Sequence, residues 1–149
     1  MFPVPAYVLV EVDGNPILVK TDVEDLPELH VKYSYCHKRF TAETCAVVSS
    51  YSDEEFSERI PVGRFTVECD GKVVKDDLIE LLSEDEVGKI KEEYEDEYEG
   101  CQVHASLLTM SRAELRLVRY FRIYKALDTD RALLRASMMV DRIVELDKH

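Results

Sequence analysis

Apolar and polar positions change their period partway along the chain, from a strand rhythm to a helix rhythm. Tyr7-Val8-Leu9-Val10-Glu11-Val12 is β-branched and apolar, Asp13-Gly14 is a turn signal that Asn15-Pro16 extends, and Ile17-Leu18-Val19-Lys20 returns. This predicts a hairpin with a four-residue connection. Residues 21–24 fit a short capped turn. Residues 30–36 alternate, with Val31, Tyr33 and Tyr35 on one face and Lys32, Ser34 and Cys36 on the other, and residues 42–50 form a β-branched run suited to pair with them. Ser52-Asp53-Glu54-Glu55 has capping-box spacing and predicts one helical turn to about Arg59, stopped by Pro61 and Gly63. Residues 64–69 and 72–75 are joined by Asp70-Gly71, the signature of a type I′ hairpin.

Beyond that point the spacing becomes helical. Leu78, Ile79, Leu81 and Leu82 predict a short helix over 76–82. Ser83-Glu84-Asp85-Glu86 opens another, whose narrow stripe is Val87, Ile90, Tyr94 and Tyr98 and which Gly100 ends. Residues 101–107 alternate once more. Ser111-Arg112-Ala113-Glu114 starts a helix to about Leu127, and Asp128-Thr129 breaks it and caps another over 130–147. Strands first and helices later, with one late strand, is the order of an α+β protein. We expect an antiparallel sheet or small barrel of about six or seven strands with a C-terminal helical pair packed on it. Residues 1–110 would be mainly β with an acidic helical insertion at 76–99, and residues 111–149 a basic amphipathic pair within the same domain. A length of 149 residues suits a single domain with a core of its own.

Charge sharpens this division. The chain carries 31 acidic and 19 basic side chains, a net of −12. Residues 111–149 hold nine basic and six acidic side chains, a net of +3, which leaves −15 for the first 110. An acidic chain repels polyanions, but this one has a basic end. A single Asn, a single Gln and no Trp give a thermophile-like composition, against which four Cys and four Met pull. No apolar run reaches the ~20 residues that span a bilayer, so no membrane association is expected. Met1-Phe2-Pro3-Val4-Pro5 has no basic n-region, so a cytoplasmic location is expected. The cysteines form no CxxC pair and do not suggest a disulfide framework.

Candidate chemistry is sparse. Cys36, His37, Cys101 and His104 are weak metal candidates, since structural zinc sites usually show two tight ligand pairs on knuckle-like loops. Cys69 and Cys101 fall on apolar strand phases, where a thiol acts as a small core hydrophobe. Cys36 beside His37 is the sequence-adjacent thiol and base, but neighbouring strand residues point to opposite faces. No phosphate-cradling loop or hydrolase motif is present, so no cofactor and no catalytic residue is expected. The acidic run over 92–99 reads as a solvated helix face.

The C-terminal helices carry the sharpest signal. Arg112, Arg116, Arg119 and Arg122 recur every three or four residues and form a stripe, which Arg131, Arg135 and Arg142 continue. Apolar residues on both helices exceed one stripe, which suggests burial on more than one side. The expected role is therefore a non-catalytic interaction or assembly subunit. Arg116, Arg119, Arg122 and Arg135 would orient a protein partner or second copy, and Leu117, Phe121, Met138 and Met139 would supply burial. The bland alternative pairs the arginines with the chain's own acids. A second functional class is single-stranded nucleic-acid binding through Lys32, Tyr33, Tyr35, Lys38, Arg39 and Arg112. A third is a small metal- or thiol-dependent enzyme.

Overall fold

The computed structural model describes residues 4–22 and 40–145. The protein is α+β, with seven strands and four helices among the described residues. The chain divides into two compact units, residues 1–57 with 113–149, and residues 58–112.

The first unit holds β1 (Pro5–Val12), β2 (Asn15–Asp22), β3 (Cys45–Ser52), α1 (Asp53–Ser57), α3 (Arg112–Ile123, less its first residue), α4 (Thr129–Asp141) and β7 (Val144–Glu145). Its sheet runs in the order β3-β1-β2-β7 and does not close into a barrel. The β1–β2 turn is tighter than expected. Val12 pairs with Asn15, so Asp13 and Gly14 alone make the turn, both with positive φ. That geometry matches the sheet twist, and it places Asn15 and Pro16 in the strand. β3 pairs antiparallel with β1 and carries a bulge at Val48, between the Leu9–Ser49 and Val10–Val47 pairs. The expected partner of this run, residues 30–36, lies outside the described residues. Val8, Val10 and Val19 form one fully buried face with Phe40, Cys45 and Val47 packed against them. On the opposite face, Tyr51 and Glu11 meet residues of α3.

The capping box at Ser52 forms as its spacing predicts. The Glu55 N–H donates to Ser52 Oγ at 3.2 Å, and the Ser52 N–H donates to Glu55 Oε1 at 3.2 Å. Asp128 caps α4 by accepting from the Arg131 N–H at 2.9 Å. Both C-terminal helices are shorter than the sequence suggests. Ala126, with φ at 53°, turns the chain between them, and the segment past α4 extends to pair with β2 in parallel.

The second unit holds β4 (Arg59–Cys69), β5 (Lys72–Glu80), α2 (Glu86–Glu97) and β6 (Gln102–Ser111), with sheet order β5-β4-β6. Asp70 and Gly71 both have positive φ, as the type I′ reading requires. The short helix expected over 76–82 is instead strand to Glu80. Asp76, Leu78 and Glu80 pair with Thr66, Arg64 and Val62, and Arg64 forks onto the two Asp76 oxygens at 3.2 and 2.9 Å. Four apolar residues within the five from Leu78 to Leu82 cannot distinguish the two periods, and pairing with β4 decides it. β4 likewise runs through Pro61 and Gly63.

α2 packs on β4 and β6 through Tyr94, whose ring stacks on Phe65 at 5.4 Å. Gly63 makes that fit. A Cβ there would lie 2.5 Å from Phe65 Cε2 and 2.8 Å from Cζ, and the fully buried ring cannot swing away. Cys69 and Cys101 form a disulfide, contrary to the sequence expectation, and Cys45 is disulfide-bonded as well. Cys69 ends β4 and Cys101 precedes β6, so the antiparallel register brings together two thiols 32 residues apart.

Gly63→Ala is expected to cost about 2 kcal/mol, read as a lower denaturant midpoint at unchanged slope. Replacing Cys69 and Cys101 by Ser is expected to cost roughly 3 kcal/mol by freeing the loop in the unfolded chain. An unchanged midpoint in either variant contradicts the assigned packing.

Candidate functional site

The arginines separate into two groups. Arg112, within the second unit, donates to Glu80 Oε1 at 3.2 and 3.1 Å and lies 3.6 Å from Glu58. Arg116, within the first, donates to Glu55 at 2.8 Å, and its guanidinium sits 4.6 Å from the centroid of the Tyr51 ring. These two are held by the chain's own acids and aromatics. Arg119, Arg135 and Arg142 are exposed and make no ion pair among the described residues. Arg122 is half-buried.

The apolar residues expected at an interface also divide. Leu117 and Phe121 are 0% and 4% exposed, so they belong to the interior of this chain and cannot meet a partner. Met139 is half-buried. Met138 is 38% exposed, and Leu134, one turn earlier on α4, is 61% exposed. Ile123 and Tyr124 are exposed at the end of α3. The apolar surplus of α3 is absorbed internally except at its end, whereas α4 leaves Leu134 and Met138 exposed in mid-helix.

A third grouping was not anticipated. Glu11, Tyr120 and Lys125 converge at the end of β1. Lys125 Nζ lies 2.7 Å from Glu11 Oε1, and the Tyr120 hydroxyl donates a short hydrogen bond to the same oxygen. Lys125 also donates to the Gly14 carbonyl at 3.4 Å and sits 5.8 Å from the Tyr120 ring centroid. With Val48 and Tyr124 these residues line a cavity of about 350 Å³. Val48, the residue left unpaired at the β3 bulge, belongs to this set. The lone sequence signal was a carboxylate within the apolar run Tyr7–Val12, and its partners lie more than a hundred residues away.

Burial, and then the bond to Glu11, holds the Tyr120 hydroxyl protonated well above its ordinary value. The bonds from Lys125 and Tyr120 hold Glu11 below its ordinary value. Tyr94 in the second unit is raised in the same manner, by burial and by its 2.5 Å bond to Asp77.

The remaining sequence candidates do not assemble. Cys101 is consumed in its disulfide, so in this state it offers neither a thiolate ligand nor a nucleophile. His104 is exposed on β6 opposite Thr66. Lys32, Tyr33, Tyr35, Cys36, His37, Lys38 and Arg39 lie outside the described residues. Among the described residues no group of three or more His, Cys, Asp or Glu is placed to hold a metal ion, and no helix is long and apolar enough to cross a membrane. No family model, curated protein or solved structure matches this chain.

The tyrosine pairs set an alkaline limit. Unfolded tyrosines ionise near 10.0, whereas Tyr94 and Tyr120 keep their protons in the fold. Their stabilisation is complete below that pH and is lost as pH rises through the higher folded values. Glu11 acts at the other end, stabilising above 4.5 and losing that effect as pH falls through its lower folded value. Tyr94→Phe with Tyr120→Phe is expected to flatten the alkaline limb of melting temperature against pH, and Glu11→Gln the acid limb. Limbs of unchanged slope contradict these assignments.

Proposed function

We propose that the protein is a non-catalytic assembly subunit that self-associates through the outer face of α4. One observation carries this reading: Leu134 and Met138 stand exposed one helical turn apart, with arginines beside them. At ~100° per residue they occupy the centre of the face opposite the buried Ala132 and Ala136. Arg131, Arg135 and Arg142 run along one side of that centre, and Asp130, Ser137 and Asp141 along the other. Such a face is complementary to itself. Two copies related by a two-fold axis parallel to the helices set the basic border of each against the acidic border of the other. An antiparallel pair would oppose arginine to arginine. Met138 suits an interface that must adapt its packing.

The disulfides bear on where this takes place. Such bonds persist in oxidising compartments, and also inside hyperthermophilic cells. A cytoplasmic setting is compatible with the second case, which the scarcity of Asn and Gln favours.

Sedimentation should show a concentration-dependent dimer. Leu134→Glu with Met138→Glu should raise its dissociation constant roughly a hundredfold. Arg142→Asp should weaken it, and adding Asp141→Arg to that variant should restore it. A strict monomer up to about 500 µM overturns the proposal.

A further inference from the structure

The cavity beside Glu11 lies within the first unit, apart from the outer face of α4, and its unused bonding capacity is specific. Both bonds to Glu11 among the described residues fall on Oε1, which leaves Oε2 as an acceptor without a described partner on a residue lining the cavity. Among the described residues Lys125 spends two of its three N–H donors, on Glu11 and on the Gly14 carbonyl, and keeps one. The wall therefore offers one anionic acceptor and one cationic donor, from groups in 2.7 Å contact. Val48 supplies an apolar flank, and Tyr124 supplies an aromatic ring that is 74% exposed.

Charge selects the ligand. A simple cation would meet Glu11 but be repelled by Lys125, and a simple anion would meet the reverse. A molecule with both charges close together satisfies both groups without separating them. From these features we infer that the cavity binds a free α-amino acid with an apolar or aromatic side chain. Its ammonium donates to Glu11 Oε2, its carboxylate accepts from Lys125 Nζ, and its side chain rests on Tyr124 and Val48. The volume, at the small end of ligand sites, suits a ligand of that size. The two charges of an α-amino acid stand one carbon apart, which fits the adjacent donor and acceptor, whereas a longer ω-amino acid spans too far.

The test is a titration of the full chain, followed by amide NMR shifts and calorimetry, with leucine and phenylalanine as probes. Their N-acetyl and carboxamide derivatives each remove one charge. Saturable shifts around Glu11, Val48, Tyr120, Tyr124 and Lys125 are expected. Either derivative should bind roughly tenfold or more weakly, the factor carried by a charge-assisted hydrogen bond. Lys125→Met and Glu11→Gln should each weaken the free amino acid by a similar factor while circular dichroism stays native. Tyr124→Ala should reduce affinity for phenylalanine more than for alanine. Should Glu11→Gln fail to fold, Lys125→Met and the derivatives still decide the matter. Absence of shifts at ~10 mM ligand, or equal binding of the charge-removed derivatives, overturns the inference.

Discussion

β1 has no wet face. Ala6, Tyr7, Val8, Leu9 and Val10 are all buried, although successive side chains point to opposite sides of the sheet. An antiparallel sheet can leave one side to water, but this strand cannot. Cover is required on both sides, and the rest of the first unit supplies it. On one side Val8 and Val10 pack with Val19, and Phe40 packs against them. On the other, α3 is fixed by Tyr120 on Glu11 and by Arg116 over Tyr51, and its own Leu117, Val118 and Phe121 are withdrawn from solvent. Glu11 sits where the apolar run ends, so the requirement that buries β1 also places a carboxylate beside a helix.

Local rules made much of this legible from the sequence. The Asp70-Gly71 turn, the Ser52 capping box, the Asp128 cap and the α+β order follow from nearest-neighbour chemistry, whereas the Asp13-Gly14 turn is two residues shorter than its sequence suggests. One failure is local, since the expected Ser83 capping box does not form and Asp85 precedes α2 without a side-chain cap; the others are non-local. The run Leu78–Leu82 has no period of its own, and β4 decides its state by pairing. The disulfide depends on two strands being brought into register. The end of α4 depends on β2 offering an edge to Val144.

The helix surplus shows the same limit for function. Leu117 and Phe121 are indistinguishable in type and spacing from residues that would serve an interface, and only the placement of α3 shows that they are interior. The arginines behave alike. Arg112 and Arg116 meet acids supplied by distant strands and helices, whereas Arg135 has none nearby among the described residues. Exposed ion pairs contribute little to stability, so within the first unit the Arg116–Glu55 contact chiefly orients α3. Glu11, Tyr120 and Lys125 were invisible as a set because no motif spans their separation.

The first unit is discontinuous: its strands precede residues 58–112 and its helices follow them. The Lys20–Glu145 contact joins positions 125 residues apart. On the ribosome the two units therefore mature in the reverse of the order in which they begin. β1 and β2 emerge first, but β1 stays without α3 while the whole second unit is made. A chain synthesised at ~5–20 residues per second holds Tyr7–Val10 without that cover for several seconds. The early hairpin is thus open to non-native strand pairing during that interval, and its I′ turn gives it a local partner meanwhile.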